Sequence, residues 1–506
     1  MKRQILIGIS TLAVTLAACT RTVSGYAPAG SSPTASLPDL LYATATPAFS
    51  VPLPPTRGPG TPIVTPTPDK PHLLPTPRSD EEEYVVQAGD TLGGIAERYA
   101  LGLETLLQAN GLNDPNRLDV GQTLTIPVST PGAEGAPFKI IPDSELVYGP
   151  YSATLDVAEF IERQGGYLAG YTELVGSDEL SAAQIVTWVA QHYSVNPRLL
   201  LALVEHQSGW VSQPEPPATD FPLGYVDAYH AGLFRQLTWA ANELNRGYYL
   251  WRAEAISSWV LADGTVVAAS PNINAGTAGV QQLFSKLDGR EAWDLDVSLE
   301  GLFTTYFYLF GYPFDYAIEP LLPPMLEQPQ MQLPFGAGET WAFTGGPHGG
   351  WDTGSGWAAL DFAPPGEAQG CVVSEAWVLA VADGKIVRTG EGVVIQDLDG
   401  DGYEQTGWTV LYMHVESRER VAPGTFVKAG ERIGHPSCEG GFSNGTHLHL
   451  ARRYNGEWIP ADGPLPFVLD GWVSSGTGVE YDGFLRRGAE EVEAWDGNNP
   501  LNQITR

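Results

Sequence analysis

The chain is poor in basic residues, in cysteine and in long apolar runs, and each shortage narrows what it can be. Only 27 Lys and Arg stand against 59 Asp and Glu in 506 residues, a formal net charge of −32. Nucleic-acid binding needs a basic surface to neutralise phosphates, so that partner is not expected. Cysteine occurs three times, at positions 19, 371 and 438. Beyond the amino end no apolar stretch approaches the roughly 20 residues of a membrane helix, so no further span is expected. What remains is a long acidic chain whose length predicts about three domains.

The amino end, MKRQILIGISTLAVTLAAC, places Lys2 and Arg3 before an apolar run that ends in small residues. That is the layout of a secretory signal, and the run is short for a membrane span. Leu16-Ala17-Ala18-Cys19 resembles the lipobox of bacterial lipoproteins. The resemblance implies a signal peptide over 1–18, lipidation of Cys19, export, and anchoring to the bacterial membrane facing the cell wall or periplasm. Several acyl chains on one residue anchor stably where a single chain does not. Residues 19–82 then read as a Pro- and Thr-rich linker with no apolar periodicity from which to build a core. At about 3.1 Å per residue of polyproline II, roughly 60 residues reach ~190 Å at most. His72 lies alone in it and receives no role. In an exported chain Cys371 and Cys438 are expected to pair, with two free buried thiols as the alternative.

Residues 83–128 form a compact unit. Tyr84-Val85-Val86 and Leu124-Thr125-Ile126-Pro127 read as strands, with a helix capped by Asp90 or Thr91 and a second from about Leu103 to Asn110 between them. The GDTL turn, IAERY helix, NGL loop and VGQTLTIP exit resemble a LysM domain. The resemblance implies binding of N-acetylglucosamine-containing glycans, with Gly89, Asp90, Thr91, Asn110 and Leu112 lining the groove. These residues also serve the turns, and the two roles are compatible.

Residues 150–328 carry apolar positions at helical spacing, as in SAAQIVTWVAQHYSVNPRLLLALVEHQSGWV, where Pro197 is placed to open a helix. The order NPRLLLALVEHQSG, GLFRQLTWAANE, NINAGTAGVQQL resembles a lysozyme-like, lytic-transglycosylase domain. That family keeps a catalytic Glu immediately before the Ser of the second helix, and here the position is Gln207. An amide cannot protonate a glycosidic oxygen. Glu205, two positions back, lies about 200° around the helix. The segment is therefore expected to be a non-catalytic glycan-holding or spacer module.

From about Leu333 the texture changes to short β-branched or apolar runs punctuated by Gly and Asp, an all-β pattern. Five of the nine histidines lie here, at 348, 414, 435, 447 and 449. In GTHLHL, strand alternation puts His447 and His449 on one face and Leu448 and Leu450 on the other. GGPHGGWDTGSGWAALDF adds His348 and Asp361, and LYMHV adds His414. Two imidazoles and one carboxylate are a frequent zinc set that leaves a position for water, whose pKa zinc lowers to roughly 7. The arrangement resembles the lysostaphin/LytM family of zinc metallopeptidases. Trp357 stands where many members have the first His, but the thirteen-residue spacing from His348 to Asp361 resembles the β-lytic branch. By that resemblance, over 333–465, His348, Asp361 and His449 hold one Zn²⁺ per chain while His414 and His447 handle protons. His435 receives no role. Asp397-Leu-Asp399-Gly-Asp401-Gly402 imitates a calcium loop, but Trp408 stands where the bidentate Glu belongs, so a tight hairpin is expected, with calcium binding as the lesser alternative.

The expectation is a multidomain chain: a small β-α-α-β LysM unit, a mainly α lysozyme-like middle domain, an all-β metallopeptidase domain of antiparallel sheets, and a C-terminal extension over 466–506. The expected function is a zinc endopeptidase, a monomer, that cuts peptide bonds of peptidoglycan stems or cross-bridges. The rival reading is a non-hydrolytic peptidoglycan-binding scaffold that activates other wall hydrolases.

Overall fold

The computed structural model describes residues 65–76, 78–87, 90–366 and 370–506. The expected signal peptide, Cys19, most of the linker and Gly89 lie outside the described residues. Among the described residues, no helix is long and apolar enough to cross a membrane.

The linker expected over 19–82 ends earlier than its composition suggests. Asp69 N donates to Asn272 O at 3.0 Å, and His72 N donates to Pro271 O at 2.7 Å. The His72 ring stacks on Trp251 at 4.6 Å, and Lys139 pairs with Asp69 at 2.6 Å. A proline-rich strap cannot build a core, but here it lies on one. His72 thus has a structural role that its isolated position in the sequence did not disclose.

The unit that follows pairs Glu82–Val85 antiparallel with Thr123–Ile126 around two short helices, Leu92–Arg98 and Leu103–Ala109. Thr91 caps the first helix by accepting from Gly94 N at 3.0 Å, a contact worth about 1 kcal/mol. Ile95, Leu106, Leu124 and Ile126 are fully buried between the layers.

The middle region is chiefly helical. Ser181 and Gln184 form a reciprocal capping box at the start of Ala182–Tyr193. Asn196 caps Pro197–Ser208 with proline in its first turn, where the missing N–H costs nothing. The long helix Leu233–Arg252 crosses Ala275–Leu287 so closely that a Cβ on Gly247 would fall 2.6 Å from Ala278 O. Two small hairpins, Thr172–Val175 with Asp178–Ser181 and Ser258–Val260 with Val266–Ala268, interrupt the helices. Each strand has only three or four residues, too few to show a period.

The carboxy-terminal half is an antiparallel nine-stranded sheet. At its centre Trp408–Met413 pairs with Leu448–Tyr454, which pairs with Ala359–Ala363, which pairs with Thr340–His348. Segment 466–506, expected as an extension, is part of this body. It forms a four-stranded sheet and then returns Gln503–Thr505 to pair with Thr340–His348. Ile504 is buried in the common core, and Arg506 donates to Asp470 at 2.9 Å.

The two faces of the large sheet are covered differently. Leu360, Phe362, Leu448 and Leu450 join a core with the 466–506 segment. Val393, Leu411, Met413 and Ala451 join the core of the middle region instead. Polar contacts cross that second seam: Arg453, which with Arg388 grips Glu404 within the sheet half at 2.8 and 2.9 Å, donates to Ser194 Oγ at 3.1 Å, and Ser194 Oγ donates to Gly456 O at 2.6 Å. The helices and the sheet therefore share one apolar interior.

Candidate metal centre

Strand register assembles the site. His449 lies opposite Asp361 on one neighbouring strand and opposite Met413 on the other. Thr340–His348 brings His348 alongside after two register shifts, at Phe343/Gly345 and Gly345/His348. Such bulges re-aim side chains at the end of a strand. Leu448 and Leu450 are fully buried on the opposite face, so the alternation of GTHLHL is that of a half-functional strand.

Three donor atoms converge. His348 Nε2 lies 2.9 Å from His449 Nδ1, and each lies 3.3 Å from Asp361 Oδ1. The three residues are buried and form a group able to hold a metal ion. The outer nitrogens are already committed: His348 Nδ1 donates to Gly346 O at 2.7 Å and His449 Nε2 donates to Gly350 O at 3.2 Å. Carbonyls only accept, so both protons are placed, and the two inner nitrogens face each other as lone pairs. Asp361 Oδ1 is buried with no hydrogen-bond partner among the described residues. Three converging acceptors at such distances need a positive charge between them, either an additional proton or a cation. Bonds of about 2.0–2.1 Å in a tetrahedral shell imply ligand separations of about 3.3 Å, close to those found. The donor set therefore fits a metal ion.

The electrostatics agree. Burial by itself raises the Asp361 carboxyl, but the imidazoles of His348 and His447 outweigh it and hold it well below the usual carboxylate range. Burial pushes His414 down to about 3, and His447 and His449 add to the effect. His414 is thus a neutral imidazole whose Nδ1–H donates to Glu439 O at 3.0 Å, leaving Nε2 as its basic nitrogen. Its backbone has φ +65°, in the left-handed region that bulky residues seldom enter, at the end of its strand. His447 donates Nδ1–H to Gly445 O at 2.7 Å, and its Nε2 lies 3.8 Å from Asp361 Oδ2. The rings of His414 and His447 are 4.5 Å apart.

Cys371 and Cys438 are joined in a disulfide. It ties the segment holding Glu439, the acceptor of His414, to the loop at Val372, which exchanges hydrogen bonds with Thr446 just before His447. His435 donates to Ala376 O and contacts Glu419, away from the donor cluster. The Asp397 loop is a hairpin between Val393–Asp397 and Trp408–Met413. A cleft of about 630 Å³ lined by Asp383, Asp399 and Trp408 lies at the other end of these strands and holds none of the site histidines.

In the amino-terminal unit the structure puts the candidate glycan residues to work locally. Asp90 Oδ2 accepts from Tyr84 OH at 2.7 Å and Gln87 N at 2.8 Å. The Asn110 amide bridges Leu106 O and both backbone groups of Thr125. Leu112 packs against the core. Gln207 lies in the last turn of its helix beside Gly224, while Glu205 spends its carboxylate on the N–H groups of Val211 and Ser212.

Sequence reading missed one side chain of the site. Tyr481 stacks on His348 with ring centres 4.2 Å apart and an interplanar angle of 19°. Burial, Asp361 and Glu480 push its phenol up to about 12, so it is a protonated donor at neutral pH. Segment 466–506 offered no motif from which to find it.

Comparison with known proteins matches three segments of the chain. Residues 84–127 match the LysM domain, residues 139–323 the LasA N-terminal domain, and residues 365–460 peptidase family M23. The middle region is thus described by the LasA N-terminal domain, and the lysozyme-like resemblance gains no support. The M23 match includes His414, His447 and His449 but begins after His348 and Asp361, which only the fold brings in. The chain is similar to Protease LasA of Pseudomonas aeruginosa, 26% identical over 324 residues that cover 58% of this chain and 71% of that protein. It is also similar to the N-acetylmuramoyl-L-alanine amidase XlyB of Bacillus subtilis, 41% identical over 49 residues covering 10% of this chain and 16% of the other. Among solved structures, the deep-sea M23 metalloprotease Pseudoalterin is 25% identical, covering 33% of this chain and 96% of that one at a TM-score of 0.28.

Proposed function

We propose that this protein is a zinc-dependent endopeptidase that cuts peptide bonds in the stems or cross-bridges of peptidoglycan, exported and anchored through a lipidated Cys19. The observation that carries the chemistry is the meeting of two imidazole lone pairs and an unpartnered, buried Asp361 oxygen. The LysM, LasA N-terminal and M23 matches support a peptidoglycan-targeting peptidase, with the LysM unit holding glycan through its two loops.

His348, Asp361 and His449 would hold one Zn²⁺. When bound, that ion supplies Lewis acidity, polarising a carbonyl and making water acidic enough to ionise near neutrality. The rest falls to the chain's own residues. His414 and His447 form a proton-handling pair, one accepting from the attacking water and the other delivering to the leaving amine. Tyr481, exposed beside His348 and with its phenol protonated, would donate to an oxyanion.

Digestion of purified cell wall tests the reading. The wild-type chain should release peptide-cleaved muropeptides, identified by mass spectrometry, while His449→Ala and Asp361→Ala release none. Equal clearing by the mutants would refute the metal mechanism. Wall binding without cleavage by the wild type would instead favour the scaffold reading.

A further inference from the structure

The metal-centre reading is the premise here. His449 reaches the site with the correct nitrogen inward because its other nitrogen donates to Gly350 O. Gly350 belongs to the loop 349–356, and that loop is fastened from outside the sheet. Asn242, on the long helix Leu233–Arg252, accepts from Gly354 N at 2.7 Å and donates to Thr353 Oγ1 at 3.1 Å. The backbones approach so closely that a Cβ on Gly354 would fall 2.0 Å from Asn242 O. Tyr193 donates its hydroxyl to Asp352 at 3.0 Å, and Asp352 has φ +57°, a conformation that benefits from an external hold. Trp351 lies against His192, with ring centres 4.8 Å apart, and edge-on to Trp188 and Tyr193.

We infer that the middle region is a working part of the metal centre: through Tyr193 and Asn242 it sets the loop that carries the Gly350 carbonyl, and so the orientation of ligand His449. The loop has braces of its own, Trp351 N to Ser355 Oγ at 2.9 Å and Gly350 N to Gly356 O at 2.9 Å. Those braces keep its shape, whereas the contacts to Asn242 and Tyr193 determine where that shape sits relative to the strand of His449. Tyr193 and Asn242 are positioning residues that act through Gly350. Groups that orient a ligating histidine typically change metal affinity by about 10- to 100-fold.

The test is Zn²⁺ affinity of the full chain, measured by competition with a chromophoric chelator. Asn242→Ala should weaken binding about tenfold, and combination with Tyr193→Phe should weaken it further. Asn242→Asp, which keeps the acceptor for Gly354 N, should recover most of the loss. Tyr248→Phe removes a contact from the same helix to Glu457, outside the loop, and should bind zinc like the wild type. Should Asn242→Ala fail to fold, Tyr193→Phe, which loses one hydroxyl, carries the test. Wild-type affinity in the Asn242 and Tyr193 variants, or an equal loss in Tyr248→Phe, overturns the inference. A wild-type chain that takes up no zinc overturns the metal reading itself, and this inference with it.

Discussion

His348 Nε2 and His449 Nδ1 stand 2.9 Å apart with no proton available to either from its own ring, because Gly346 O and Gly350 O have claimed the other two nitrogens. The pair repels itself unless a positive charge lies between, and Asp361 supplies the matching negative oxygen. Removing the charge should therefore be felt as instability as well as lost activity.

Zinc should raise the melting temperature, and chelation should lower it. A ligand at 100 times its dissociation constant stabilises the folded state by about 2.7 kcal/mol. Thermal melts with and without added zinc measure this, and His348→Ala should abolish the difference.

Replacing His414 or His447 with Ala should leave zinc stoichiometry at one per chain. It should lower kcat by about 10²- to 10⁴-fold, the usual range for general acid–base groups. Metal analysis alongside turnover separates this outcome from ligand loss, and zinc-free variants would show that these residues are ligands instead.

Reduction of the Cys371–Cys438 bridge should destabilise the peptidase body. The bridge closes a separation of 67 residues, for which chain-entropy reasoning gives about 4 kcal/mol. Denaturant titration of Cys438→Ser measures it. Activity should fall as well, because Glu439 O, which holds the His414 ring, sits beside the bridge.

Acid should weaken the cluster of Arg388, Glu404 and Arg453 that the sheet half sets against the helices. Glu404 is fully enclosed; burial raises its carboxyl, but Arg388 and Arg453 outweigh that and bring it from 4.5 down to about 2. Its contribution is complete above pH ~4.5 and is lost as pH falls toward 2, where the carboxylate must protonate. Opposing it, burial raises Glu145 and Glu457 to about 7, so each favours the folded state increasingly as pH drops from 7 to 4.5. Glu404→Gln should cost about 3–5 kcal/mol at neutral pH and flatten the decline below pH 4.5, as read from denaturation at a series of pH values.

Much of the site was legible because it obeys local rules. The two-residue period of a strand put His447 and His449 together, and Leu448 and Leu450 are buried on the other face. Pro197 announced a helix start, and it stands in the first turn of Pro197–Ser208. Tyr481 was not legible, since it enters through a left-handed turn (φ +67°) in a segment with no period. Nor was the edge strand Gln503–Thr505, whose three residues carry no pattern.

The sequence by itself determined which side chains alternate, where helices begin, and which residue types were available as ligands, because backbone sterics act between near neighbours. Only the tertiary structure decided which nitrogens face each other and which carbonyl turns each ring. It also decided that a helix some hundred residues earlier holds the loop beside His449. Those outcomes depend on strand register and shared burial among distant segments, and no local spacing encodes them.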